Sequence, residues 1–281
     1  MNQFDEYYKD LFASTAEFNE WKKQMLASTH PILRFNPANE KRLKSLWKES
    51  GYQWVISPHY KYTLEWPKEV ALGEALPGYE EHLFYVQNAS SLFPVMALDP
   101  QPGEKILDAC AAPGGKALFI AELMQGEGEF LANDLSRDRR IRMHQIFKEY
   151  GVEDFVQIMG RNAMGFAKSH PEYFDRILVD APCSSEKHVL ASPKHLEEWK
   201  PGRVRHLKKL QWSLLKTLWK ALKPGGRLVY ATCSVAPEEN EELIQKFVQR
   251  EKEGAVLKEI KRIQPSAEGN LDPMFISVLE K

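Results

Sequence analysis

Cys183, in "VDAPCSS", and Cys233, in "VYATCSVAPEENEEL", each follow a run of β-branched and aromatic residues that reads as a strand. Pro237 and the acids after it read as a helix start, which puts Cys233 at a strand-to-helix junction. Free cysteines are usually small buried hydrophobes, and Cys110 is read that way. Two thiols at strand tips facing one crevice fit the bland reading less well. A thiol of pKa about 8.5 is only a few per cent thiolate at neutral pH, yet strongly nucleophilic. The helix start would lower the pKa of Cys233, but Glu238, Glu239, Glu241 and Glu242 already complement that dipole. Activation is therefore expected from the geometry with substrate bound.

A second constellation is "LDACAAPGGK", which ends at Lys116. Gly114 and Gly115 let the backbone come close to a ligand, and the helix that follows offers free N–H groups. Neither the dinucleotide G-x-G-x-x-G nor the P-loop pattern is present there. The next strand-like run ends in Asp134, whose carboxylate can accept both hydroxyls of a ribose. A nucleoside ligand without a phosphate tail fits, and S-adenosylmethionine is the commonest of that kind. A glycine turn with a solvated aspartate is the competing reading of these residues alone.

A thiol nucleophile beside a methyl donor points to one kind of chemistry. Carbon 5 of a pyrimidine attacks a methyl sulfonium poorly. Adding a thiolate to carbon 6 turns the ring into an enamine whose carbon 5 can take the methyl, and loss of the carbon-5 proton and of the thiol restores aromaticity. The ring nitrogen must be polarised by a proton or hydrogen bond, and Asp180, beside Pro182 and Cys183, is placed for that.

Such residues need a scaffold that brings strand tips together. From about residue 104, strand-like and helix-like runs alternate: "KILDAC", "GGKALFIAELM", "GEFLANDL", 137–150, "FVQIMG", "FDRILVDAP", 203–222, "GRLVYATC", a helix from Glu238, then "VLKEI" and "MFISVLEK". That alternation predicts an α/β fold, a mostly parallel sheet with helices on both faces, binding ligands at the carboxyl ends of its strands. Before it, residues 4–26 have helical spacing, "NPANEKRLKSLWKESG" reads as a helix capped by Asn36 and stopped by Gly51, and "YQWVISPHYKYTLEW" reads as strand. Pro77-Gly78 marks a hinge, giving a small α/β domain over 1–80 and a catalytic domain over 81–281.

At 281 residues the chain can build a sizeable core, and its net charge of -1 leaves anionic partners to local patches. Three scattered cysteines exclude a disulfide framework or a zinc site. No secretory signal and no apolar run of about 20 residues is read, so a cytoplasmic protein without a membrane partner is expected.

In this order, "LDACAAPGGK", "AND", "DAPCSS" and "YATCSVAPEENE" resemble the RsmB/RsmF/Sun family of RNA cytosine-C5 methyltransferases. "LRFNPANEKRL" and "FYVQNASSLFPVMALDPQPGEKILD" look like the same family's upstream segments, so the resemblance covers about residues 32–245. It implies a Rossmann-like class I methyltransferase fold, S-adenosylmethionine as cofactor and RNA as partner, ribosomal RNA before transfer RNA; a monomer is expected. It further implies that Cys233 is the nucleophile, that Cys183 assists product release, and that Asp180 lies near the methyl donor and the cytosine. Gly114, Gly115 and Lys116 would hold the amino-acid end of the cofactor and Asp134 its ribose, with Arg139 at a cofactor-contacting position. Asn162 stands where the family usually has an acid for the adenine amino group, and its amide oxygen can still accept that bond. "CSSEKHVL" is closer to the mitochondrial ribosomal-RNA branch.

A target cytosine must be single-stranded or flipped out to reach a thiol in a crevice. Lys200, Arg203, Arg205, Lys208 and Lys209, with Trp199 and Trp212, are candidates to hold phosphates and stack on bases, as is Lys41 to Lys48. The leucines of 207–218 form a core-facing stripe on that same helix. Two rivals remain at this point: a DNA cytosine methyltransferase attacking through Cys183, and a ribosome-assembly factor that binds RNA without catalysis.

Overall fold

A computed structural model of the chain describes residues 2–27, 29–251, 254–266 and 271–281. It opens with α1 (Gln3–Tyr8) and α2 (Thr15–Leu26), whose first turns are capped by Asn2 and Ser14. Their apolar residues, among them Phe4, Tyr8, Phe18 and Trp21, do not pack on the segment that follows. They pack instead on Val189, Trp199, Val204 and Val235, far along the chain.

A small antiparallel sheet comes next, built from β1 (Ile32–Phe35), β2 (Thr63–Glu65) and β3 (Phe84–Gln87) in the order β2-β1-β3, with α3 (Glu40–Glu49) between the first two strands. The Asn36 side chain accepts from the Ala38 N–H, and Gly51 at φ 78° ends the helical segment as expected. The aromatic run 52–66 is a correction. It forms strand only at Thr63–Glu65, with a single bridge from Ile56 to Leu64. Its rings fill space rather than pairing backbone: Trp54 packs on Phe35 and Trp47. The third strand of this sheet lies beyond residue 80.

The remainder runs α4 (Leu92–Leu98), β4 (Lys105–Asp108), α5 (Gly115–Met124), β5 (Glu129–Asn133), α6 (Arg137–Glu149), β6 (Val156–Met159), α7 (Phe166–Ser169), β7 (Phe174–Asp180), α8 (Glu186–Leu190), α9 (Pro193–Glu198), α10 (Gly202–Leu218), β8 (Leu222–Thr232), α11 (Glu241–Arg250), β9 (Val256–Ile263) and β10 (Met274–Glu280). The helix expected over 203–222 stops at Leu218 and tightens into a 3-10 turn, and the one expected from Glu238 is a 3-10 turn before α11.

The seven strands are ordered β6-β5-β4-β7-β8-β10-β9, with β4 to β8 parallel and β10 antiparallel to both neighbours. Alternate residues divide between two cores, as the period of two requires. Ile106, Phe130, Leu178 and Val229 join the α4–α5–α6 side, while Leu107, Leu131, Val179 and Tyr230 join the α10–α11 side. Strand order reverses between β4 and β7, so the crevice lies past Asp108 and Asp180.

Candidate active site

Past β7 and β8, two loops bring Cys183 and Cys233 together with their sulfurs 3.1 Å apart. The Ser185 hydroxyl lies 3.2 Å from the Cys233 sulfur and 3.5 Å from that of Cys183. Both residues are half-buried. The hydrogen bond from Cys183, helped by Ser185, holds the Cys233 thiol below its ordinary value although burial works the other way. That same bond, together with burial, pushes the Cys183 thiol up. Cys233 therefore ionises first. The helix start plays little part, because α11 begins only at Glu241.

The backbone around Cys233 is locked from behind. Thr232 donates its hydroxyl to Asn240 Oδ1 at 2.6 Å, Asn240 Nδ2 donates to the Ser234 carbonyl at 2.8 Å, and the Tyr230 hydroxyl donates to the Glu239 carbonyl at 2.7 Å. Glu239, expected to complement the dipole of the next helix, lies instead in the 3-10 turn before α11. It is buried, accepting from the Ser184 N–H at 3.1 Å and from Gln211 at 2.6 Å, and burial pushes its carboxyl up to about 7.

Asp180, at the tip of β7, accepts from Lys116 Nζ at 2.9 Å. Burial works to lower the Lys116 ammonium, but Asp180 and Asp108 outweigh it and hold the lysine charged, above its ordinary value. Asp108, at the tip of β4, is fully buried, and its Oδ2 has no hydrogen-bond partner. Burial, with Asp180 nearby, pushes its carboxyl up to about 8. Sequence reasoning passed over Asp108, although its place one residue before the Ala109–Cys110 turn was the available signal. A cavity of about 110 Å³ is lined by Asp108, Lys116 and Asp180, with Tyr85 and Gly115 beside them. Cys110 borders it too, with its thiol pushed up by burial and by Asp108, which fits an inert role.

The two glycines serve packing as well as access. A Cβ on Gly115 would lie 2.9 Å from the Tyr85 hydroxyl, and one on Gly114, at φ 120°, would lie 3.2 Å from Met143. Beyond β5, Asp134 accepts from the Ser136 N–H at 2.9 Å and pairs with Arg139 at 3.1 Å. Arg139 also donates to the Ala112 carbonyl, tying this carboxylate to the glycine turn. Asn162 is exposed past β6, where its Oδ1 accepts from the Met164 N–H at 3.0 Å. Thus Lys116 pairs with Asp180, the charges of both are felt at Cys233, Cys183 and Cys233 touch each other, Asp134 pairs with Arg139, and Asn162 caps its own turn past β6.

The base-stacking expectation for Trp199 is corrected. It is 3% exposed, with its ring against Phe4, Tyr7 and Tyr8. Arg203 donates from Nε to the Ser184 carbonyl at 3.3 Å, bracing the Cys183 loop, while Arg205 is exposed. Among the described residues no helix is long and apolar enough to cross a membrane.

A sequence model of the 16S rRNA methyltransferase RsmB/F family matches residues 95–279. The ribosomal RNA small subunit methyltransferase B of Salmonella arizonae is 40% identical over 213 residues, covering 75% of this chain and 48% of its own length. The chain thus spans about half the length of the curated relatives of that name. The tRNA (cytosine(49)-C(5))-methyltransferase of Pyrococcus abyssi is 36% identical over 252 residues, covering 86% of this chain and 78% of its own. The crystal structure of a methyltransferase homolog protein from Pyrococcus horikoshii superposes with a TM-score of 0.79 at 26% identity, covering 98% of this chain and 97% of that one. Matched across the strands that carry both thiols, and similar over nearly all its length to a solved methyltransferase homolog, this chain belongs to the RsmB/F methyltransferase family.

Proposed function

We propose that this chain methylates carbon 5 of cytosine in RNA, taking the methyl from S-adenosylmethionine, with Cys233 as the nucleophile. The observation that carries the reading is the 3.1 Å contact in which the Cys183 thiol supports a thiolate at Cys233.

The residues present fit the cofactor. The unpartnered, buried Oδ2 of Asp108 suits an ammonium at the amino-acid end, with Lys116 suited to its carboxylate. Asp134 suits the ribose hydroxyls, with Arg139 holding its orientation. Gly114, Gly115 and Asn162 complete the set of binding residues. When bound, S-adenosylmethionine supplies an electrophilic methyl group.

The chain's own residues do the rest. The Cys233 thiolate adds to carbon 6, which places negative charge on the ring nitrogen, and a proton delivered there by way of Asp180 neutralises it and is taken back as the ring is restored. Once carbon 5 is methylated, it gives up its proton to solvent and the carbon 6–sulfur bond breaks. Cys183 then returns its S–H hydrogen bond to the departing thiolate. A raised Cys183 thiol speaks against the rival in which that residue attacks.

Ribosomal RNA is the first substrate to test, on the family match, and transfer RNA the second, on the Pyrococcus abyssi relative. The test incubates purified protein with S-adenosylmethionine and each RNA, then digests the RNA to nucleosides for mass spectrometry. We expect 5-methylcytidine in one of them. Detectable cofactor binding with methylation at another atom, or no cofactor binding at all, overturns the reading.

A further inference from the structure

The loops that carry the two thiols share one buried hydrogen-bond web. Glu186, at the start of α8 and fully buried, is its hub. Its Oε1 accepts from the hydroxyls of Ser184 and Ser234, and its Oε2 accepts from the Val235 N–H at 3.0 Å. Ser184 and Ser234, each the immediate successor of a cysteine, also touch each other at 2.9 Å. Glu239 closes the web from the other side through Ser184 and Gln211. One more donor reaches the hub from 178 residues away: the Tyr8 hydroxyl, fully buried on α1, donates to Glu186 Oε1 at 2.5 Å.

A seryl hydroxyl that points back into the web fixes the backbone of the residue before it. The Ser184–Glu186–Ser234 bridge therefore sets how far apart Cys183 and Cys233 stand. A hydrogen bond weakens steeply as its geometry opens, so this spacing decides how well Cys183 supports its neighbour. We propose that Tyr8 and Glu186 are positioning residues for the reaction, the hydroxyl–carboxylate bond between them holding the two thiol loops in register. This rests on the reading of Cys233 as the nucleophile.

The groups facing Cys233 are Cys183, Ser185, Asp180, Glu186 and, through its charge, Lys116. Because the Glu186 charge itself raises the Cys233 thiol, replacing Glu186 mixes two opposed effects. Tyr8→Phe is the clean variant, for it removes one hydroxyl and no charge. Tyr7→Phe is its matched control. The Tyr7 hydroxyl donates to Glu238, outside the web, from the same helix.

The experiment uses the full chain. Iodoacetamide alkylation of Cys233, followed by mass spectrometry from pH 6 to 10, reads thiolate formation without RNA or cofactor. Methylation kinetics read kcat and KM separately. For Tyr8→Phe we expect alkylation at pH 7 to slow by about three- to ten-fold, the size of one lost hydrogen bond. The pH midpoint should rise, with kcat falling in step and KM for RNA unchanged, while Tyr7→Phe behaves as wild type. Tyr8→Ala serves as a second variant and should move the midpoint in the same direction as Tyr8→Phe. The proposal is overturned if Tyr8→Phe leaves the alkylation midpoint unmoved, or if Tyr7→Phe shifts it equally. If wild-type protein methylates no cytosine yet the midpoint still moves, the functional reading has failed and the positioning role stands.

Discussion

The Cys183 and Cys233 sulfurs sit 3.1 Å apart and share the Ser185 hydroxyl, so only one of the pair is readily ionised. A thiolate at Cys233 can accept from the Cys183 thiol, which lowers the one and raises the other.

Separate alanine substitutions should divide their labours. Cys233→Ala abolishes methylation and any covalent protein–RNA adduct. Cys183→Ala leaves addition possible but slows release, so an adduct accumulates when cofactor is present and survives denaturing electrophoresis. An adduct from Cys233→Ala but none from Cys183→Ala would invert the roles.

Ser185→Ala tests the second donor to Cys233. The rate of a thiolate reaction rises with pH through the thiol pKa, and removing a donor from the thiolate moves that pKa up. At pH 7 the variant should be about three- to ten-fold slower, and it should recover towards wild-type rate at alkaline pH. A pH-independent loss would assign Ser185 a steric role.

Asp108 should trade stability against binding. Burial pushes its carboxyl up to about 8, from an ordinary 3.8. The native state therefore holds this proton more tightly than the unfolded chain, and its stabilising contribution is complete below about 3.8 and drains away as pH rises to about 8. Asp108→Asn removes the buried charge. It should raise the Tm of the cofactor-free protein at pH 8, by about 2–4 °C per kcal/mol relieved, and flatten its pH dependence. Calorimetry should show weaker binding of S-adenosylmethionine. A Tm unchanged at pH 8 would mean that the carboxylate is not strained there.

Trp199→Ala separates packing from RNA contact. With its ring buried against Phe4 and Tyr8, truncation should cost about 3–5 kcal/mol of stability. RNA affinity of the surviving folded fraction should stay the same. A large loss of affinity at unchanged Tm would restore its stacking role.

Much of this was legible along the chain. The central strands of the large sheet are short apolar runs, and both thiols follow such runs, so their placement at neighbouring strand tips could be read from order alone. Residues 52–66 misled because alternating aromatics imitate a strand when they are filling the gap between α3 and β1. Trp199 misled in the opposite direction, as its basic neighbours resemble an RNA surface while its ring belongs to the α1 interface. Tyr8 and Glu186 could not be found at all. Their bond is a tertiary meeting of distant segments, and nothing local in either one announces it.

β10 lies between β8 and β9, although it follows both in the chain. During synthesis, the strand leading to Cys233 therefore keeps one bare edge until residues 274–280 have emerged from the ribosome. A nascent chain stalled before that point would carry a row of unpaired backbone groups along Arg227–Thr232, ready to recruit another strand. Truncation there would then be read in cells as aggregation as well as lost activity.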